Sequence, residues 1–399
     1  MKKHIGRFFK TAICFLCITS LCGCWNSHEL DTLGIVMGVA LDKAEGTGGV
    51  QLTAQLVLPG ALKSGSSSSG TGTGGGGGGS GGGSVSFWNV KSTGDTVFSA
   101  VRDVTDQCSR KLFFPHNQVL IFGKSLAQEG VQKYIDFFER DPETRNGVWV
   151  LVAKGSADEV LSVKPKLEKI TASKIAEMVR GQQKATSEAS AVTLSDFITR
   201  LMSKTAAPVA TMIEVTGEGE NQSLLITGTA VFKKDKLVGT LDKKEGRGLL
   251  WVLGEVKSGI IEVEGPDGSL VALETIRASG KMTAELKDGK IKMKITVIEE
   301  GNIGETTGTG DLNTTEILAK LEEKKAEAIR GEILAAFEKA KTLNADIFAF
   351  GEAVKQKYPN EFKTMEDNWD EVFKTIELEL SVNAKLRLTG RINNPGVPQ

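Results

Sequence analysis

The residues of this chain that could do chemistry are few and mostly isolated. Four of its five cysteines, Cys14, Cys17, Cys22 and Cys24, fall within the first 24 residues. Lys2, Lys3, Arg7 and Lys10 form a positive n-region, 11–21 is apolar, and Leu21-Cys22-Gly23-Cys24 follows directly. That order is an export signal ending in a lipobox: cleavage after Gly23 leaves Cys24 as the new N-terminus, with diacylglycerol on its thiolate. The alternative is an uncut signal anchor, but an apolar run of about 11 residues is short of the ~20 that span a bilayer as a helix. Cys24 is therefore the expected lipidation site. The two or three acyl chains of such a cysteine hold a protein at a membrane essentially permanently, where one chain binds marginally.

The other candidates carry less. With the signal removed and Cys24 acylated, only Cys108 remains, and no intrachain disulfide is possible. Cys108 shares a helical face with Val97, Val101 and Val104, which makes it a small buried hydrophobe. A catalytic thiol would need a base such as His28 or His116, and nothing local supports either; nor do the two histidines sit in a zinc-spaced cluster. His116 follows Pro115 and is expected to hydrogen-bond in a turn. Gly78-x-Ser80-x-Gly82 matches a nucleophile elbow only formally, since it lies in a glycine tract with no strand before it and no helix after. Gly123-Lys124-Ser125 resembles the end of a phosphate loop, but Gln118 stands where the first glycine is required. Glu299-Glu300 and Asp158-Glu159 read as solvated charges. No reaction, metal or cofactor is indicated.

These groups must be placed by a mixed α+β scaffold. The 399 residues, 40% hydrophobic and 25% charged, suffice for two or three domains. Lys and Arg number 49 against 50 acids, a formal net charge of -1, so there is no overall basic footprint for nucleic acid. Removing the signal takes four basic and no acidic residues and leaves a formal -5. Strands 33–42 and 50–58 form a hairpin, followed at 64–84 by 21 residues of Gly, Ser and Thr alone. That tract has no side chains to offset its ordering entropy and would span ~25 Å as a flexible loop. Beyond it, strands are expected at 85–90, 118–122 and 147–153, and helices at 95–108, 131–138, 157–163, 173–183 and 194–204. The stretch 207–268 holds strands at 211–216, 223–233 and up to 241, and a short helix carrying Leu249, Leu250 and Trp251, with a turn at Gly265-Pro266-Asp267-Gly268.

A third unit opens with strands 271–278 and 282–286. The Asp288-Gly289 hairpin then leads into Ile291, Met293, Ile295 and Val297 on one face. A long helix follows, capped by Asn313 with Glu316 reciprocating; Leu318, Leu321, Ile329, Ile333 and Phe337 form its core stripe, while Glu322, Glu323, Lys324, Lys325 and Glu327 are expected in solvent. Helices at 345–357 and 366–374 precede a final strand, 376–388, of strict period two, long enough to expect a bend near 381–383. The resulting division is a signal peptide 1–23, an N-terminal α+β domain 24–206 with its loop 64–84, a small β-rich domain 207–268, and a C-terminal α+β domain 269–392.

Several strings resemble the Ger(x)C family, the C-subunit lipoproteins of spore germinant receptors in endospore-forming bacteria. They begin with Cys24-Trp25, Glu29-Leu30 and the run 34–42, Gly-Ile-Val-Met-Gly-Val-Ala-Leu-Asp. They continue with Lys111-Leu112-Phe113 and His116, Arg140-Asp141, Gly228-Thr229-Ala230-Val231-Phe232, Leu237-Val238-Gly239 and Gly248-Leu249-Leu250-Trp251. Asp346-Ile347-Phe348, Gly351, Tyr358-Pro359, Trp369 and Phe373 close the series, so the resemblance spans almost the whole mature chain. Asn360-Glu361-Phe362 departs from the Trp usual after the Tyr-Pro pair, an aromatic usual after the Gly351 helix is missing, and 64–84 looks like an insertion.

The resemblance implies three α+β domains and no enzymatic activity. It also implies a receptor complex with a channel-like A subunit and a transporter-like B subunit. The expected function is thus a non-catalytic, lipid-anchored subunit on the outer face of the inner spore membrane, needed for nutrient-triggered germination. A free-standing extracytoplasmic lipoprotein that binds a small solute is the alternative, and a cell-wall hydrolase, which would need a paired acid and base in one cleft, a third. Phe350 and Phe348 are the candidate partner-binding residues, because Ile347, Phe348 and Phe350 offer more apolar surface than one helix face can bury; the competing reading puts Phe350 in the core.

The glycine tract generates a direct test. Shortening 64–84 to roughly six residues should leave the melting temperature nearly unchanged, because loop-closure entropy varies only with the logarithm of length. Loss of complex assembly with an unchanged melt would instead assign the tract a binding role.

Overall fold

The computed structural model describes residues 32–46, 48–58 and 86–388. The first half is built on β1 (Leu33–Lys43), β2 (Val50–Val57), β3 (Phe87–Gly94), β4 (Lys111–Phe113), β5 (Val119–Phe122) and β6 (Trp149–Ala153). It continues through β7 (Val209–Thr216), β8 (Ser223–Lys233) and β9 (Lys236–Leu241). Its helices are α1 (Val97–Asp103), α2 (Lys124–Glu129), α3 (Gln132–Arg140), α4 (Ala157–Ser162), α5 (Thr171–Ala185) and α6 (Leu194–Met202). The second half holds α7 (Lys243–Leu253), β10 (Gly259–Glu264), β11 (Leu270–Lys287), β12 (Lys290–Thr306) and α8 (Thr315–Leu343). It ends with α9 (Phe350–Lys357), α10 (Pro359–Phe362), α11 (Trp369–Thr375) and β13 (Glu377–Leu388). The mixture is α+β, as the residue patterns indicated.

Two sheets organise these elements. The first runs β3-β2-β1-β5-β6-β7-β8-β9, with β4 paired to β1 at its end. Its centre is parallel, β1 to β5 to β6 to β7, and its flanks are antiparallel hairpins. A parallel centre needs cover on both faces, and its strands are correspondingly apolar on both. Val39, Leu41, Leu120, Phe122, Val150 and Val152 pack on one side, with α1, α3 and α6. Ala40, Val119, Ile121, Leu151 and Ala153 pack on the other, with α4 and α5. The strands of 207–268 are shared out: β7, β8 and β9 extend this first sheet, and β10 edges the second, whose order is β10-β11-β12-β13.

Several local expectations shift for identifiable reasons. The strands expected at 271–278 and 282–286 are one ribbon, β11, paired with β12 along its length, with register shifts at Ala272/Leu273 and Thr275/Arg277. β13 pairs in parallel with β12 without a break through 381–383; its irregularity comes near its end, where Gly301 pairs Leu386 and Asn302 pairs Leu388, so that Arg387 is the extra residue. Thr314, not Asn313, caps α8, its hydroxyl accepting from the Ile317 amide at 3.3 Å. Lys325 is not solvated but fully buried, because it lies four residues after Leu321 and four before Ile329, on the core stripe. Its Nζ donates to Glu299 Oε1 at 2.6 Å, and Glu299 is buried because period two along β12 continues the inward row of Met293, Ile295 and Val297. Burial pushes the Glu299 carboxyl up and the Lys325 ammonium down, each opposed by the other. Two turns on, Glu332 accepts from Arg247 and from Trp251 Nε1 at 2.8 Å, which fastens α8 to α7. Gly248 lets the two helices close: a Cβ there would lie 2.1 Å from the Glu332 carbonyl oxygen.

The halves meet at Asp346. Its backbone carbonyl accepts from the Ala207 amide at 2.9 Å, forming a bridge with the segment that leads into β7. Its carboxylate accepts from the Phe350 amide at 3.0 Å, the Gly351 amide at 2.9 Å and Trp369 Nε1 at 3.1 Å. A helix beginning at 345 is therefore replaced by one beginning at Phe350, preceded by Ala349 at φ 58° and capped from Asp346 four residues upstream. Arg200 of α6 adds hydrogen bonds to the carbonyls of Ala207 at 3.1 Å and Ile347 at 2.7 Å. At Gly351 a Cβ would lie 2.5 Å from that of Thr205, so only glycine allows this approach.

Phe348 and Phe350 do not form a docking face. Both are 0% exposed, stacked at 4.9 Å between ring centroids, with Phe337 at 6.2–6.3 Å from each. Phe350, out of phase with the helix expected from 345, is in phase once the helix begins with it. Its surplus apolar surface is buried against Phe337 and Phe373 rather than offered to a partner.

Two outcomes follow from this junction. Phe350→Ala should cost about 3–5 kcal/mol and Phe350→Asp more, with loss of the cooperative melt by calorimetry; a Phe350→Asp protein with an unchanged melt would place the side chain at the surface after all. Burial outweighs the three donors and pushes the Asp346 carboxyl from 3.8 up to about 6. The folded state then binds this proton more tightly, so the stabilisation is full below about pH 4 and is lost as pH rises through about 6. Asp346→Asn should gain on the wild type by roughly 3 kcal/mol between pH 4 and 7.5 in denaturant titrations. A difference that does not change with pH would show a carboxylate ionised throughout.

Candidate functional site

The residues singled out for chemistry are spread over the fold. Cys24, His28, and the Gly/Ser/Thr tract 64–84 lie outside the described residues. Cys108 is buried, 6% exposed, in the same core cluster as Val97 and Val104, as expected, but it lies beyond α1 and the 3₁₀ turn 104–106 rather than in a helix running to 108; its amide donates to the Val104 carbonyl at 2.8 Å. His116 sits exposed in the turn between β4 and β5, where the Asn117 amide donates to the Phe114 carbonyl at 2.8 Å and the His116 ring faces Phe113 at 6.0 Å. Gly123 precedes α2, with the Asp42 carboxylate against it, so an anion of the protein occupies that loop's side. Asp42 also accepts from the amides of Ala157 at 2.8 Å and Asp158 at 2.9 Å and thus starts α4 from across the sheet. Among the described residues no group of three or more His, Cys, Asp or Glu could hold a metal ion, and no helix is long and apolar enough to cross a membrane.

One surface feature stands apart from this structural use of polar groups. A groove of about 550 Å³ opens between α1 and α3. Thr96 caps α1 reciprocally with Ser99, which fixes the helix so that Val97 and Ala100 face the sheet and Phe98 faces out. On α3, Tyr134, Ile135 and Phe138 are buried and Phe137 turns toward α1. Phe98 lies 6.2 Å from Phe137, which meets Phe114 edge-on at 5.7 Å on the groove floor. Phe98 is 55% exposed at the lip, with the Arg102 guanidinium over its ring at 5.0 Å. Arg140 is held by Asp136 at 2.8 Å, and Lys111 by Glu143 at 3.0 Å. Arg102 and Lys133 form no ion pair with a described residue.

Sequence reading missed this groove. Its walls come from residues about 40 apart, and each wall is an ordinary amphipathic helix by itself. The one local signal was Phe98, an aromatic off the Val97-Val101-Val104 stripe.

Known proteins match the chain along its length. Residues 26–215 match the spore germination protein N-terminal domain, and residues 227–390 match the domain described as spore germination B3/GerAC like, C-terminal. The chain is 26% identical to spore germination protein YndF of Bacillus subtilis (strain 168), over 98% of each chain. It is 25% identical to spore germination protein KC of the same organism, again over 98% of each. Among solved structures, the crystal structure of the GerBC protein superimposes with a TM-score of 0.52 at 16% identity, covering 88% of this chain and 96% of that one, a likeness of fold. With both spore-germination domains present in order, and relatives matching from end to end, the chain belongs to the Ger(x)C family of spore germination proteins.

Proposed function

We propose that the protein is the lipid-anchored, non-catalytic C subunit of a spore germinant receptor. In this reading Cys24 holds it on the outer face of the inner spore membrane, beside integral A and B subunits. The observation that carries the proposal is the collinear match of both germination domains, beginning at residue 26, two residues after the lipobox cysteine. A mature chain of formal charge -5 is not drawn to anionic lipid by bulk charge, which is why the anchor has to be covalent.

The family residues support a scaffold role. Asp346, Trp369 and Trp251 are each bound in buried hydrogen bonds that join elements, and Phe348, Phe350 and Phe373 fill the core around them. Polar groups spent on internal contacts are not available to a substrate. The subunit would present a fixed surface to its partners rather than a reaction centre.

The test begins with Cys24→Ala, which should leave an uncleaved, unacylated precursor and impair germination through that receptor. Unchanged acyl labelling and detergent partitioning would remove Cys24 from the anchor role. Pull-down of the tagged wild type from spore membranes should recover two integral subunits. A free-standing solute binder would come down alone and show a ligand-dependent rise in melting temperature, worth about 2.7 kcal/mol at a hundredfold excess over Kd.

A further inference from the structure

We propose that the groove between α1 and α3 is the face that this protein lays on an anionic lipid bilayer. The inference rests on the anchor at Cys24 and adds an orientation to it. Three features of the groove point the same way.

The first is where the chain enters. β1 begins at Leu33, paired in parallel with β4 so that Leu33 stands beside Lys111 and Gly34 beside Leu112. Lys111 and Leu112 line the groove, and neighbouring strands are about 5 Å apart. The nine residues from Cys24 to Leu33 reach at most about 30 Å when fully extended. A lipid on Cys24 therefore keeps this end of the sheet within about 30 Å of the surface, a distance at which the groove can reach it.

The second is the chemistry of the rim. Phe98 projects an apolar ring at the lip with a guanidinium laid over it, an apolar body with a cationic tip. Side chains of that kind settle at the boundary between acyl chains and headgroups. Because Asp136 takes Arg140 and Glu143 takes Lys111, the groove cations without a carboxylate partner are Arg102, over the Phe98 ring, and Lys133, whose ammonium lies 4.7 Å from the centre of the Tyr134 ring.

The third is the asymmetry of the domain. α4 and α5 cover the opposite face of the first sheet, so a chain lying on its α1–α3 side holds that layer away from the lipid. One aromatic and two cations bind weakly from solution. Tethering raises their effective concentration at the surface to about millimolar, where a weak contact is enough to set orientation.

The experiment places a polarity-sensitive fluorophore at Phe98→Cys in the full acylated chain, reconstituted in vesicles of phosphatidylcholine and phosphatidylglycerol. Cys108 is buried and Cys24 acylated, so the label goes to position 98. The control is Leu167→Cys, in the segment between α4 and α5 and 92% exposed. Quenching by nitroxide-bearing lipid should be several-fold stronger at 98 than at 167. It should fall to the level of the control when Arg102→Glu and Lys133→Glu are added, although the protein stays on the vesicle. Equal, weak quenching at both positions overturns the proposal. So does a probe that is wet in protein-free vesicles but shielded in spore membranes, an outcome that would give the groove to a protein partner. The mass of the N-terminal peptide reports the anchor separately. A chain found unacylated is tethered through a histidine tag before residue 32 to chelating lipid and probed in the same way, so each reading fails on its own measurement.

Discussion

Asp346 joins two levels of the structure: its carboxylate gathers the elements of the second half, and its main chain bonds that half to the first. The carboxylate is sealed from solvent with three donors around it, and the main chain bridges to Ala207. Each partner comes from a different stretch: the start of α9, the indole at the start of α11, and the segment that feeds the first sheet. A buried polar group with every bond made adds rigidity, and one bond lost leaves a desolvated charge. Arg200 repeats the link from the other side by holding Ile347 and Ala207 together. The family strings Asp346-Ile347-Phe348, Gly351 and Trp369 are thus one joint, dispersed in sequence and closed in space.

The same holds for Gly248-Leu249-Leu250-Trp251. Gly248 lets α7 close on α8, Leu249 and Leu250 are core, and the indole of Trp251 reaches Glu332. A signature of this sort reports how the halves are locked and says little about what they meet. The rim of the groove is built the opposite way: Phe98 and Arg102 stand exposed above a buried floor and make no hydrogen bond that joins elements. Scaffold and contact surface are therefore separable in this protein: substitutions at the joints act through folding, and those at the groove rim can act on association alone.

What the sequence made legible follows the strength of its periodicity. β8 was expected at 223–233 and occupies those residues, since an apolar alternation bounded by a Lys234-Asp235 turn admits one reading. The inward row of β12 and the alternation of β13 were equally plain. β4, three residues long, is too short to show a period, and it exists because β1 offers an unpaired edge to Lys111-Leu112-Phe113. Lys325 and Phe350 escape such a reading for two reasons: a lysine's charge predicts solvent where its helical phase dictates core, and a helix starting at 345 leaves Phe350 out of phase where the true start at 350 does not. Of the candidate site, Cys24 was readable because a lipobox is contiguous; the groove was not, because its walls meet only after α1 and α3 are docked.

The parallel pairing of β13 with β12 has a kinetic side. These strands are neighbours in register from Lys292 with Glu377 to Gly301 with Leu386, yet α8 and three further helices lie between them in the chain. Non-local parallel pairings form late, because the intervening loop must close before any contact rewards it. Until the twelve residues of β13 arrive, one side of β12 is an unpaired edge carrying Ile291, Met293, Ile295 and Val297, the pattern that invites strands of other molecules. In the finished protein that role passes to β13, whose outward Glu377, Glu379, Lys385 and Arg387 discourage further addition. Chains cut short before β13 should therefore self-associate through β12 rather than persist as truncated monomers.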